Sequence, residues 1–179
     1  MLIAAPGMGD PRFARTLLYM CGHDRFHAMG IVINQPMHAL RFSALLSQLQ
    51  IKPEINPVPD HPVLAGGPVE PERGFVLHSL DYCLAGETLE VSADIGMSAS
   101  AQIVAAMASP TPPKNCILAL GLSSWGPGQI EEELRANAWL VCDADTALVF
   151  DRDFASKWDR AMHKIGVDPD RFSDVAGHA

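Results

Sequence analysis

Gly and Pro cut the chain into short segments whose apolar positions follow two different periods. Leu2–Ala5 is an apolar run stopped by Pro6-Gly7. Arg15–Cys21 and Ala28–Ile33 read as buried strands. Leu17, Leu18, Tyr19 and Met20 are too apolar for a solvated face, and Ile31, Val32 and Ile33 are mostly β-branched and closed by Asn34-Gln35-Pro36. The period then changes: Phe42, Leu45, Leu46 and Leu49 fall at i, i+3, i+4 and i+7, which predicts a helix over Phe42–Leu49 with Ser43 near its start. A Pro-rich loop with Pro53, Pro57, Pro59 and Pro62 follows. Val63–Ala65, Gly74–His78, Thr88–Val91 (as an edge), Ile117–Leu120, Trp139–Val141 and Ala147–Phe150 read as further strands. Ala101–Ala108, with Ser98 and Ser100 as candidate caps, Gln129–Ala136 and Phe154–Ile165 read as helices.

About eight strands and four helices that do not alternate exclude a doubly wound sheet. Several strands are joined by links too short for a helical crossover, so the pairing should be mixed and largely antiparallel, an α+β class. The expectation is a single domain over 1–165 and a loosely ordered tail over 166–179, with Phe172 as its docking residue.

Composition narrows the function classes. With 179 residues, 48% hydrophobic and 19% charged, the chain can bury a sizeable core and is not of the disordered class. No apolar run reaches the ~18 residues of a membrane span, and the start MLIAAPGMGDPRF has no basic region and so does not read as a secretory signal. Thirteen basic against 21 acidic residues give a net charge of −8, which weighs against direct nucleic-acid binding. Arg12, Arg15, Arg25, Arg41 and Arg73 are scattered, and no helix reads as a basic recognition helix. Cys21, Cys83, Cys116 and Cys142 form no CxxC pair; they read as small buried hydrophobes in a reducing cytosol.

Three constellations could carry chemistry. Gly121–Glu133 joins a strand, a glycine-bearing loop and a helix start. Such an end can hold an anion, but Glu131, Glu132 and Glu133 fill the first turn and no Lys follows the glycines. Anion binding, cation binding at Glu131 or Glu132, and a structural corner stay open, the corner foremost. In the corner, Gly126 and Gly128 supply backbone angles closed to other residues and Trp125 packs as a lid. Gly66-Gly67-Pro68-Val69 reads either as an anion nest or as a tight turn at a strand end. Asn34 ends an equally buried strand. If Asn34, Gly66, Gly67, Trp125, Gly126, Gly128 and Gln129 converge, they form a small polar-mouthed ligand pocket. His23 and His27 have the i, i+4 spacing of metal ligands, but Asp24-Arg25-Phe26 between them reads as a turn. His78 and His178 read as satisfied or solvated. No catalytic set stands out: there is no GxSxG, and no cysteine has an activating partner.

Together, LIAAPGMGDPRF, HAMGIVINQP, AGGPV with RGFVLH, LGLSSWGPGQIEEELRANAWL and the terminal KW…A…IG…AGHA resemble the AlgH/YqgE family of small bacterial proteins, in family order over nearly the whole chain. The resemblance implies a single cytosolic α+β domain with a mixed, partly barrel-like sheet and helices packed around it. Some members carry the label of transcriptional regulator, and the family has no agreed biochemical activity. The chain departs from the family pattern at Gly22, where members usually have Glu, at His27, usually Gly, and at Gln35, usually Arg. The functional expectation is a cytoplasmic module that binds a small ligand or a protein and regulates indirectly. The alternatives are a small divalent-metal-dependent enzyme and a direct DNA-binding regulator. No cofactor is specified by the sequence.

Overall fold

The computed structural model describes residues 1–168; Phe172 and His178 lie outside the described residues. The elements run β1 (Leu2–Ala4), a 3-10 turn (Pro11–Phe13), β2 (Leu17–His23), β3 (Ala28–Val32), β4 (Pro36–Arg41), α1 (Phe42–Gln48), β5 (Pro62–Ala65) and β6 (Val69–Ser79). They continue with β7 (Leu89–Glu90), β8 (Ile95–Ser98), α2 (Ala101–Ala106), β9 (Cys116–Trp125), α3 (Gln129–Arg135), β10 (Trp139–Val141), α4 (Thr146–Phe150) and α5 (Lys157–Lys164). The fold is α+β with mixed, largely antiparallel pairing. It divides into two compact units, one of Met1–Asn34 with Ser124 onward, the other of Gln35–Ser123.

In the first unit the strand order is β10-β1-β2-β3, antiparallel throughout; Leu2 faces both Val141 and Leu18, and Leu18 faces Val32. Leu2, Ala4, Leu18, Ala28 and Val32 pack with Trp125, Ile130 and Trp139. The stripe on α5 buries Trp158, Ala161 and Met162 as its period predicts. The Trp158 indole donates to the Ala4 carbonyl at 2.8 Å, and the Arg15 guanidinium lies 4.2 Å over its ring. Arg15 also donates to both oxygens of Asp159, at 2.6 and 2.7 Å. Beside it, Lys157 is wholly buried, its ammonium donating to the carbonyls of Ile33 (3.1 Å) and Val149 (2.6 Å).

Two expectations change in this unit. Ala147–Phe150 is not a strand but part of α4, because the Asp145 carboxylate caps the turn by accepting from the Leu148 amide at 2.6 Å. The last helix begins at Lys157 rather than Phe154.

In the second unit β9 is the central strand. Leu118, Ala119 and Leu120 pair in parallel with Val63, Leu64 and Ala65 of β5, and antiparallel with Val76, Phe75 and Gly74 of β6. A residue with two ladder partners has one on each edge, so β5 and β6 flank β9. Only Gly66-Gly67-Pro68 joins them, so the link must pass over the backbone of β9. A Cβ on Gly66 would lie 2.3 Å from the Gly121 carbonyl oxygen, and one on Gly67 2.2 Å from the Leu122 carbonyl carbon. Gly67 (φ +154°) and Gly121 (φ +74°) also hold angles that suit glycine. The Gly-Gly pair is thus a strand crossing.

Phe42, Leu45 and Leu46 of α1 pack with Ile103, Val104 and Met107, over Val63, Val76 and Leu118. Strands β4 and β8 were not anticipated. Ser98 is not a cap but sits in β8, and Ser100 holds the N-cap position without a side-chain bond. Arg41, not Ser43, stands at the cap of α1. Within the sheet, the His78 Nδ1 donates to the Ser79 carbonyl (3.1 Å), its Nε2 meets Ser98 Oγ (3.0 Å), and Ser98 meets Thr88 Oγ1 (2.9 Å), so this buried histidine is satisfied. All four thiols are free, but Cys83 is exposed rather than buried.

Gly67→Ala should lower stability by about 2 kcal/mol or more through backbone overlap and strain. Gly74→Ala, whose new methyl would sit 3.6 Å from Leu118 Cδ1, should leave stability nearly unchanged. Urea denaturation of the two variants checks the contrast.

Burial also pushes the Lys157 ammonium down from its ordinary 10.5 to about 8. The unfolded chain therefore binds more protons between those values, and this group adds stability as pH rises from about 8 toward 10.5. Below about pH 8 the cost of the buried charge is fully present. Lys157→Met should flatten that rise, read as unfolding free energy at about pH 7, 9 and 10.

Candidate functional site

The WGPGQ corner lies in the first unit. β9 ends at Trp125, Gly128 turns the chain with φ +74° at the start of α3, and Gln129 closes the loop by accepting from the Gly126 amide at 3.1 Å. Gly126 does not hold a positive φ, so only Gly128 supplies the special angle expected of both. Trp125 is 4% exposed, a core residue and not a surface lid.

The centre of the corner is Glu133. One carboxylate oxygen accepts from the indoles of Trp125 (3.0 Å) and Trp139 (2.7 Å), and the other from the Gln129 amide (2.9 Å). The two indoles meet edge to face at 6.0 Å, and Phe13 stacks edge-on to Trp139 at 5.5 Å. Gln129, Glu133 and both tryptophans are therefore used by one another. The sequence could have shown this only through spacing: Glu133 is one helical turn from Gln129.

The remaining sequence candidates also have framework roles. Asn34, in the first unit, accepts from the Leu17 amide (2.8 Å) and donates to the Arg15 carbonyl (2.9 Å), pinning the bend before β2. Gly66 and Gly67, in the second unit, make the crossing over β9. His23 and His27 stand at either end of the β2–β3 turn, not on a helix. His23 Nε2 meets Glu131 at 2.6 Å, and the backbone and His23 hold the Glu131 carboxyl below its ordinary range. His27 faces Asp24 at 3.2 Å, and Glu132 is exposed. Among the described residues, no three His, Cys, Asp or Glu side chains are grouped to hold a metal ion.

Sequence reasoning missed a cleft in the second unit. β4 is in register with β5 at its two ends, Pro36↔Leu64 and Arg41↔Pro62, and the register shifts between them. β4 spends five steps where β5 spends two, so its middle residues bow outward. The opening is a cleft of about 230 Å³. Val63 forms a buried apolar floor, Met37 and Leu40 an apolar wall, and Arg41, His38 and Asp60 bring polar groups. Asp60 comes from the Pro-rich loop, separated from Arg41 by the whole of α1. Arg41 and Asp60 make no ion pair among the described residues, with each other or elsewhere.

Glu133→Gln turns an acceptor of three bonds into a group that must aim an N–H at an existing donor. It should cost about 1–3 kcal/mol, and Trp125→Ala about 3–5 kcal/mol. Thermal unfolding followed by tryptophan fluorescence checks both, and a Trp125→Ala variant of unchanged stability would contradict the core role.

A family model described as AlgH-like matches residues 1–170. A UPF0301 protein of Rhodopseudomonas palustris (strain HaA2) is 49% identical, covering 100% of this chain and 85% of that protein. One of Caulobacter vibrioides is 47% identical, covering 100% of this chain and 92% of that protein. The solution structure of the AlgH protein from Pseudomonas aeruginosa superposes with a TM-score of 0.77 at 38% identity, over 99% of this chain and 93% of that one. A crystal structure of a Corynebacterium diphtheriae protein, at TM-score 0.68 and 18% identity over 90% of this chain and 83% of that one, shares the fold. No helix among the described residues is long and apolar enough to cross a membrane. The chain belongs to the AlgH-like family.

Proposed function

We propose that this chain is a cytoplasmic binding module that holds a small ligand in the β4–β5 cleft and regulates indirectly, through what it binds. The observation that carries this reading is the cleft itself. Met37, Leu40 and Val63 line it together with His38, Arg41 and Asp60, and among the described residues neither Arg41 nor Asp60 has an ion-pair partner; small-molecule sites likewise set polar groups beside apolar ones. The corner and the glycine crossing offer less, because their polar groups are already used within the chain. Four free thiols support a reducing compartment.

Direct grip on DNA is disfavoured by charge. Besides the net −8, the cations Arg12, Arg15, Arg73, Arg160 and Lys164 each have a carboxylate partner, and phosphate binding would have to compete with those pairs. A protein partner is a second reading, favoured by Phe26. It is 60% exposed at the tip of the β2–β3 hairpin, with the Arg25 guanidinium 4.5 Å over its ring.

Backbone amide shifts recorded against neutral, anionic, cationic and zwitterionic fragments test the proposal. Movement is expected at Met37–Arg41 and Asp60–Val63; silence there across all four classes overturns the ligand site. Tight, salt-sensitive binding of random duplex DNA would overturn the indirect role.

A further inference from the structure

We infer that the β4–β5 cleft takes a small zwitterion with an apolar body, the chemistry of a free α-amino acid or short peptide, with its carboxylate on Arg41 and its ammonium on Asp60. This rests on reading the cleft as a ligand site and adds the ligand's charge pattern.

Two opposite charges line one opening of about 230 Å³ without closing on each other. Some opposite charges in the chain do close, among them Arg73 on Glu70 at 2.8 Å, Arg15 on Asp159 at 2.6 Å and Lys164 on Asp145 at 2.6 Å. Arg41 and Asp60 stand on separate backbone segments. Arg41 is the last residue of β4, fixed opposite Pro62, and Asp60 lies between Pro59 and Pro62, where the His61 amide donates to the Pro59 carbonyl at 3.1 Å. Among the described residues neither charge has an ion-pair partner, so both are open to a third group.

Elimination sets the sign of that group. A simple anion would gain Arg41 but meet Asp60, a simple cation would gain Asp60 but meet Arg41, and a neutral apolar molecule would desolvate both charges without partnering either. A molecule carrying both charges engages both walls with charge-assisted bonds at once. The guanidinium fork matches a carboxylate, and an ammonium suits the Asp60 carboxylate. Met37, 36% exposed, and the half-buried Leu40 offer the apolar body a surface. The volume lies below the roughly 300–1,000 Å³ of drug-sized pockets, which suits a molecule the size of one amino acid.

Titration of the full chain with L-leucine, 4-methylpentanoate and 3-methylbutylamine, followed by amide shifts, separates the charges. Leucine should bind at least about ten-fold more tightly than either single-charge analogue. Arg41→Gln should abolish its advantage over the amine, and Asp60→Asn its advantage over the carboxylate. Both side chains are exposed, so unchanged melting temperatures are expected and show that the variants fold. An analogue within about two-fold of leucine overturns the inference. So does leucine leaving the cleft resonances still while another fragment class moves them. Silence from every fragment overturns the ligand site as well.

Discussion

The second unit depends on one close approach of backbone to backbone. β5 and β6 lie on opposite edges of β9, yet only Gly66, Gly67 and Pro68 connect them. The link has no length to go around, so it goes over. The contact is tight enough that a single Cβ on Gly66, Gly67 or Gly121 would fall within 2.3 Å of a main-chain atom. Pro68 then fixes φ and sends the chain into β6. Because the crossing sets where β5 ends, it also sets where β4 can pair. The cleft is the gap left when β4, longer between its two points of register, bows away from β5. The GGP motif bears on binding at one remove: it builds the edge on which the cleft hangs.

The first unit solves a different problem, that of polar groups among apolar neighbours. Buried donors and acceptors are generally matched within the protein, and the indole and ammonium groups here find partners on other segments of the chain. Glu133 takes the indole N–H groups of Trp125 and Trp139, Trp158 reaches back to Ala4, and Lys157 ties Ile33 to Val149. These are the residues a motif search singles out, because Trp, Gly and Glu at fixed spacing look like a site. Their geometry makes the spacing a packing requirement instead.

This explains what was legible in the sequence. The buried strands β2, β3, β5 and β9 and the stripes of α1 and α5 announce themselves, because apolar runs and a 3.6-residue period reflect burial directly. β4 does not: Pro36–Arg41 is mostly exposed and shows no clean alternation, so its strand character comes from pairing with β5 alone. α4 misleads for the opposite reason. Thr146–Phe150 is apolar and strand-like in composition, and only the Asp145 cap one residue earlier tips it into a helix. The α+β class was readable because it rests on the strong signals. The cleft was not, because Arg41 and Asp60 belong to segments that look unremarkable alone and meet only after α1 folds back.

The distribution of charge joins these strands of argument. Five of the cations, Arg12, Arg15, Arg73, Arg160 and Lys164, are neutralised by carboxylates between two and 144 residues away. Arg41 makes no ion pair among the described residues although Asp60 lines the same opening. The two groups come from different segments, Arg41 from the end of β4 opposite Pro62 and Asp60 from the proline-bounded loop. Opposite charges that a fold leaves unpaired need not be pulled apart when a ligand arrives, and this lowers the cost of binding.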